Sequence, residues 1–175
     1  MNTSVDSGAR SPWRLSWRAD PVGRVLADRH YNRQAVGADQ FVPPGRCLVL
    51  VTPAADALWI TSWPFAEYVK HRWAGAWICS CFRREGGGRA SDLIRAAVAA
   101  TRWRWQPPAL GMVTFVNAEK VRHKRDPGRC FVRAGFEPDG ETEGGLLAFR
   151  MRPEAMPAPV MPIGGMRDLF AELRP

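Results

Sequence analysis

Hydrophobic positions change period several times along the chain, and each change marks an element. Asp20-Pro21 has the form of a helix start, with Asp at the N-cap and Pro at the first helical position. Val22, Val25, Leu26 and Arg29 then share one stripe at helical spacing, which runs out near Tyr31-Asn32. After Pro43-Pro44-Gly45, the run Cys47–Val51 is apolar throughout and predicts a strand buried on both faces. Pro53–Asp56 supplies a turn and Leu58–Trp63 is rich in β-formers, so these two segments predict a hairpin.

Glu67–Gly75 is a polar and aromatic connection. In the next strand, Trp77–Arg83, alternation places Ile78, Ser80 and Phe82 on one face and Trp77, Cys79 and Cys81 on the other. Ser91 stands where it can cap a helix whose stripe is Ile94, Ala97, Val98, Thr101 and Trp105, and Gln106-Pro107-Pro108 stops that helix. Leu110–Val116 reads as a strand. Pro127-Gly128 opens a short helix through Ala134, and Gly135 ends it. Phe136 begins a last pair of strands around Gly144-Gly145, of which Leu146–Met151 is the clearer. Four prolines beyond Arg152 lead to a short amphipathic piece, Met166–Leu173. No internal repeat is present. The order predicts an α/β architecture, an α+β mixed sheet with one strand–helix–strand crossover. Three parts are expected: a flexible basic N-terminal arm (1–18), a catalytic domain (19–152), and a Pro-rich C-terminal tail with its amphipathic helix (153–175).

Composition narrows the setting. The chain has 175 residues and a hydrophobic fraction of 46%, enough for one domain with a core of its own. No apolar run approaches the roughly 18–20 residues that span a bilayer, so no membrane partner is expected. Met1–Arg18 holds no apolar block of the secretory type. The four cysteines (Cys47, Cys79, Cys81, Cys130) form no CxxC pair, which favours a reduced, cytoplasmic protein. With 25 Lys+Arg against 17 Asp+Glu the formal charge is +8, which suggests a polyanionic partner. Eight tryptophans are present; Trp59, Trp63, Trp73 and Trp77 read as core or pocket wall before they read as stacking platforms.

Arg83-x-x-Gly86-x-Gly88 follows a strand directly and Ser91 opens the next helix. First-turn amides carry partial positive charge and can hold a pyrophosphate, while glycines let the backbone approach it closely. The pattern is neither a P-loop nor a GxGxxG fingerprint, and a plain connecting loop is the competing reading. This motif, placed between a strand and its helix, resembles the acetyl-CoA pyrophosphate loop of the GNAT acyltransferase superfamily. The strand Leu110–Val116 and the helix closing in Cys130–Phe136 are similar to that family's second half. The resemblance implies acetyl-CoA in a V-shaped gap where strands 77–83 and 110–116 splay apart, with Arg83, Gly86, Gly88 and Ser91 on the cofactor. Many such enzymes carry a proton-donating tyrosine where this chain has Phe131.

Lys120–Arg133 carries six Lys or Arg against one Asp. It reads either as a solvated loop or as a phosphate binder, with Lys120, Arg122, Lys124, Arg125 and Arg129 as nucleic-acid contacts. Arg102-Trp-Arg-Trp105 interleaves basic and aromatic residues, although Trp105 also falls on the core stripe. His30, at a helix end, is either a capping residue or a group titrating near neutrality that could hold a metal. His30-Tyr31 with Arg33, Lys124–Phe131 and Ala134-Gly-Phe136 resemble the phage Mom family, divergent GNAT-like enzymes that modify adenine in DNA to an N6-carbamoylmethyl form and so block restriction. That resemblance implies His30, Tyr31 and Asp126 as catalytic positions, acetyl-CoA and an iron ion as cofactors, DNA as substrate, and a phage-encoded or bacterial intracellular protein. It also frames a role for the Trp-rich loop 63–77, which would fill the gap or stack on a flipped base. The competing functions are a conventional GNAT acting on a small-molecule or protein amine, and a non-catalytic nucleic-acid-binding protein of the same fold.

Overall fold

A computed structural model describes residues 10–121 and 125–165. Its strands are β1 (Arg14–Ser16), β2 (Arg46–Val51), β3 (Ala57–Trp63), β4 (Trp77–Arg84), β5 (Met112–Val116), β6 (Glu137–Glu141) and β7 (Leu147–Met151). They form one mixed sheet in the order β1-β2-β3-β4-β5-β7-β6. Every neighbouring pair is antiparallel except β4 and β5, which run parallel. The long return between them is α2 (Ala90–Arg104), the expected crossover. The described helices are completed by α1 (Pro21–Asp28) and α3 (Arg129–Ala134). No helix among the described residues is long and apolar enough to cross a membrane.

The main core fills the space between the sheet and α2, where Ile94, Ala97 and Val98 meet Trp59, Trp77 and Met112. On the opposite face, α1 and Phe41 cover β2 and β3. The β3–β4 connection covers β5 and β7 there through Trp73 and Ala76.

Asp20 caps α1 as the sequence predicts, accepting the Val22 amide at 2.9 Å. The buried stripe is different. Gly23, Leu26 and Ala27 face inward while Val22 and Val25 are exposed. The helix sits so close to Phe41 that a Cβ at Gly23 would stand 2.7 Å from its ring, so the smallest residue takes the tightest contact. Ser91 is not the cap of α2. The helix begins at Ala90 with Arg89 before it and no side-chain cap.

The expected arm is partly built into the sheet. Trp13 is fully buried and donates its indole N–H to the Leu93 carbonyl at 2.9 Å, and β1 pairs along β2. One large ring in a polar segment outweighs the basic residues around it, so the ordered body starts well before residue 19. The tail is integrated in the same way. Met156 enters the main core, the Val160 amide donates to Ala99, and the Ile163 amide donates to Trp13. The amphipathic piece Met166–Leu173 and residues 1–9 lie outside the described residues.

Candidate active site

Strands β4 and β5 pair only over Trp77–Cys79 and Met112–Thr114, although both continue. Beyond that point they part. On its other side, β4 slips register against β3: Thr61 faces Cys79 and Ile60 faces Cys81, leaving Ser80 as a bulged residue. A bulge bends and over-twists its strand, and β4 leaves β5 at this residue. The parting opens a cavity of about 220 Å³ walled by Tyr31, Phe82, Thr114, Val116, Cys130 and Phe131.

The bulge also reverses the alternation. Cys79 packs in the main core, Cys81 joins the cluster under α1, and Phe82 returns to the main core. The expected grouping of Trp77, Cys79 and Cys81 on one face therefore fails after Cys79. The same shift decides which arginine meets the cavity. Arg84 lines it and donates to the carbonyls of Gly86 (3.2 Å) and Gly88 (3.1 Å). Arg83 turns toward α1, where it donates to the Arg29 carbonyl and to Glu85 at 2.8 Å. The Arg83 hydrogen bond, aided by Arg29, holds the Glu85 carboxyl below its usual range.

The glycine turn rests on the β2–β3 turn. The Glu85 amide donates to the Asp56 carbonyl at 2.7 Å, and a Cβ at Gly86 would stand 2.8 Å from the Asp56 carboxylate. Gly88 takes a positive φ of 61° as the chain enters α2. Beside the first turn of that 15-residue helix lies a broad basin of about 740 Å³, rimmed by Arg89, Ser91, Arg125, Asp126, Arg129 and Arg133. None of the four arginines there makes an ion pair among the described residues. Basin and cavity share Ala90, Gly128 and Cys130, so they form one continuous depression.

His30 and Tyr31 stand at the cavity's other side. Their rings stack with centroids 4.4 Å apart, and the Asn32 amide donates to His30 Nδ1 at 3.2 Å. Burial is the main influence on Tyr31 and pushes its phenol up, against a smaller lowering influence of the Asn117 backbone. A further cavity of about 270 Å³ lies on the α1 side, with Phe41, Arg33 and Gln34 in its wall. It shares His30, Asn32, Ser80 and Cys81 with the first cavity. The two meet at the bulge, with His30 at their junction.

The residues singled out in the sequence are thus regrouped. His30 and Tyr31 adjoin the strand gap, whereas Asp126 is exposed in the arginine basin. Arg125 and Arg129, read as nucleic-acid contacts, converge with Ser91 at the helix start, and Lys120 reaches across to donate to the Tyr31 carbonyl at 3.2 Å. Arg122 and Lys124 lie outside the described residues. In the segment 63–77, Trp63 stays half-buried with Arg46 over its ring, while the other two tryptophans are turned into the core. Trp73 is buried against Phe115 and donates to Asp139 at 2.7 Å, and Trp77 is fully buried. Sequence reasoning missed Cys79 and Cys81 as cavity residues. Burial pushes the Cys81 thiol up to about 12 and the Cys79 thiol well above its ordinary value, so neither is primed as a nucleophile.

Among the described residues, no three His, Cys, Asp or Glu side chains are grouped to hold a metal ion. The described residues therefore do not by themselves assemble a site for the iron that the Mom resemblance implies. No protein-family model, curated protein or solved structure matches the chain.

Proposed function

We propose that the chain is an acyl-CoA-dependent transferase of GNAT-like fold that modifies DNA bases by acyl transfer, with adenine N6, the position that the Mom family modifies, as the acceptor amine. The observation that carries this reading is the parting of β4 and β5 at Ser80 beside the glycine turn and the start of α2. An extended pantetheine arm carries amide groups, and parted strands offer unpaired backbone groups to receive them. The pyrophosphate would lie at the first turn of α2, with Arg89, Arg125 and Arg129 around it. The basic loop then serves the cofactor's phosphates rather than the DNA.

Bound acetyl-CoA supplies an activated thioester carbonyl. The chain's own groups supply the rest. A bulge leaves backbone amides outside the ladder, and such donors suit a developing oxyanion. Tyr31 stays protonated at neutral pH because burial raises its pKa, so it can donate the proton that Phe131 cannot. His30 stands at the junction of the two cavities, and its Nδ1 would take a proton from the acceptor amine on releasing the Asn32 amide. A base inside a duplex is out of reach, so it must be flipped or come from a single strand. The cavity on the α1 side offers it the Phe41 ring and the side-chain amides of Asn32 and Gln34.

A small cationic amine is a poorer acceptor, because no carboxylate among the described residues lines that cavity. Two measurements test the proposal. Acetyl-CoA is expected to raise the melting temperature of the purified chain, and DNA incubated with both should yield a new adenosine species by mass spectrometry of its nucleosides. DNA binding without any stabilisation by acetyl-CoA would instead mark a non-catalytic module.

A further inference from the structure

At the end of the sheet away from the glycine turn lies a surface that the transfer reaction does not use. A groove of about 480 Å³ runs between the segment after β1, the start of β2 and the end of α2, with Trp17, Arg18, Arg46, Arg104 and Trp105 along it. Arg46 pairs with Trp63, the last residue of β3, whereas the glycine turn adjoins Ala57, the first. At about 3.3 Å per residue, the groove is roughly 20 Å from that turn.

The arginines of the groove are not neutralised. On α1 and just after it, Arg24, Arg29 and Arg33 pair with Asp39, Glu85 and Asp28. By contrast, Arg18, Arg46 and Arg104 make no ion pair among the described residues. Two of them are held in place by uncharged partners. Arg18 donates to the Gly45 carbonyl at 2.6 Å, and the Arg46 guanidinium lies 3.9 Å from the Trp63 ring centroid and 5.3 Å from that of Phe65. Phe65 in turn meets Tyr68 edge-on at 6.4 Å. Trp17, Phe65 and Tyr68 are 56%, 57% and 77% exposed, so cations and open rings alternate along one surface.

We propose that this groove binds a single-stranded stretch of nucleic acid. Uncompensated guanidiniums take the phosphates, and exposed rings take the unstacked bases. A duplex keeps its bases stacked and has no faces to give Trp17 or Tyr68. An acidic peptide brings carboxylates but no flat partners for the rings. The groove extends the DNA-modifying reading, since an unpaired strand is one of the two forms in which a base can reach the transfer site, but it does not depend on acyl-CoA.

Fluorescence anisotropy of a labelled oligothymidylate with the full chain tests this. Phe65→Ala and Tyr68→Ala remove exposed rings without touching the core, and each should weaken binding at least about fivefold. Arg46→Glu and Arg104→Glu should weaken it further, with the slope of log Kd against log salt falling by about 0.7 for each phosphate no longer neutralised. A duplex of equal length and heparin should compete less well than unlabelled oligothymidylate. Binding insensitive to all four changes, or a preference for the duplex or for heparin, overturns the proposal. If acetyl-CoA fails to stabilise the wild-type chain while these variants still lose the oligonucleotide, the transferase reading falls and the groove stands. Stabilisation by acetyl-CoA together with no oligonucleotide binding overturns the groove and leaves the transferase reading in place.

Discussion

Lys120 Nζ donates to the Tyr31 backbone carbonyl at 3.2 Å, and Lys120 lies just beyond the end of β5. The loop leaving α1 is thereby tied to the mouth of the strand gap. Because burial raises its pKa above 10.0, Tyr31 remains a proton donor across the physiological range. Tyr31→Phe keeps the ring stacked on His30 and removes only the hydroxyl. Turnover should fall by about 10²- to 10⁴-fold, the usual weight of a general acid, with the thermal shift from acetyl-CoA retained. Unchanged turnover would remove Tyr31 from the chemistry.

Asp20 ties β1 to α1 through Ser16 Oγ at 2.6 Å, Arg14 at 3.1 Å and the Val22 amide at 2.9 Å. Burial disfavours its charge, but these bonds together outweigh burial and lower its pKa. A carboxyl with a depressed folded pKa contributes stability above the unfolded value, near 3.9, and loses it as pH falls through the folded value. Asp20→Ala should cost about 0.5–2 kcal/mol at neutral pH. Melting curves of variant and wild type should converge only below about pH 4. A gap that persists into strong acid contradicts the assignment.

Gly128 stands just before α3 at a φ of 83°, where a Cβ would run into the Phe149 ring. Gly128→Ala therefore meets both backbone strain and a clash, and should destabilise by more than about 1 kcal/mol in urea titration. Arg129 and Arg133 ride on the same helix, so the response to acetyl-CoA should weaken as well. A variant as stable and as responsive as wild type would show that α3 tolerates a different seat.

Two fully buried tryptophans differ in their indole N–H. That of Trp13 reaches the Leu93 carbonyl, whereas that of Trp77 has no partner among the described residues. Truncation to Phe removes ring volume in both cases, but Trp13→Phe also gives up a buried indole hydrogen bond, whereas Trp77→Phe removes a buried donor that has no partner. Its cost should exceed that of Trp77→Phe by about 1–3 kcal/mol, read from urea midpoints. Equal costs would mean that ring volume alone decides.

The elements with a strong period were legible in the sequence: the Asp20 cap, the β2–β3 hairpin, the α2 stripe and the crossover to β5. Legible too was a glycine turn between a strand and a helix. What escaped was decided by single contacts with no periodic mark. A three-residue strand in an Arg-rich segment is invisible until Trp13 finds its pocket under α2. Gly23 faces inward because Phe41, 18 positions on, presses against it. Arg84 replaces Arg83 at the cavity because one extra residue in β4 is opposed by none in β3, and composition does not record such an insertion. The basic loop was legible as charge, but its convergence on the start of α2 depends on the left-handed turn at Gly128.

Ser80 gives β4 what amounts to a shifted reading frame. Upstream of it, odd-numbered positions such as Trp77 and Cys79 serve the large core; downstream, even-numbered Phe82 and Arg84 take over that side. Removing Ser80 would restore one frame along the strand, leave Phe82 and Arg84 on the side they already take, and let β4 stay zipped to β5. The molecule's cleft is thus encoded by the length of one strand as much as by the residues that line it.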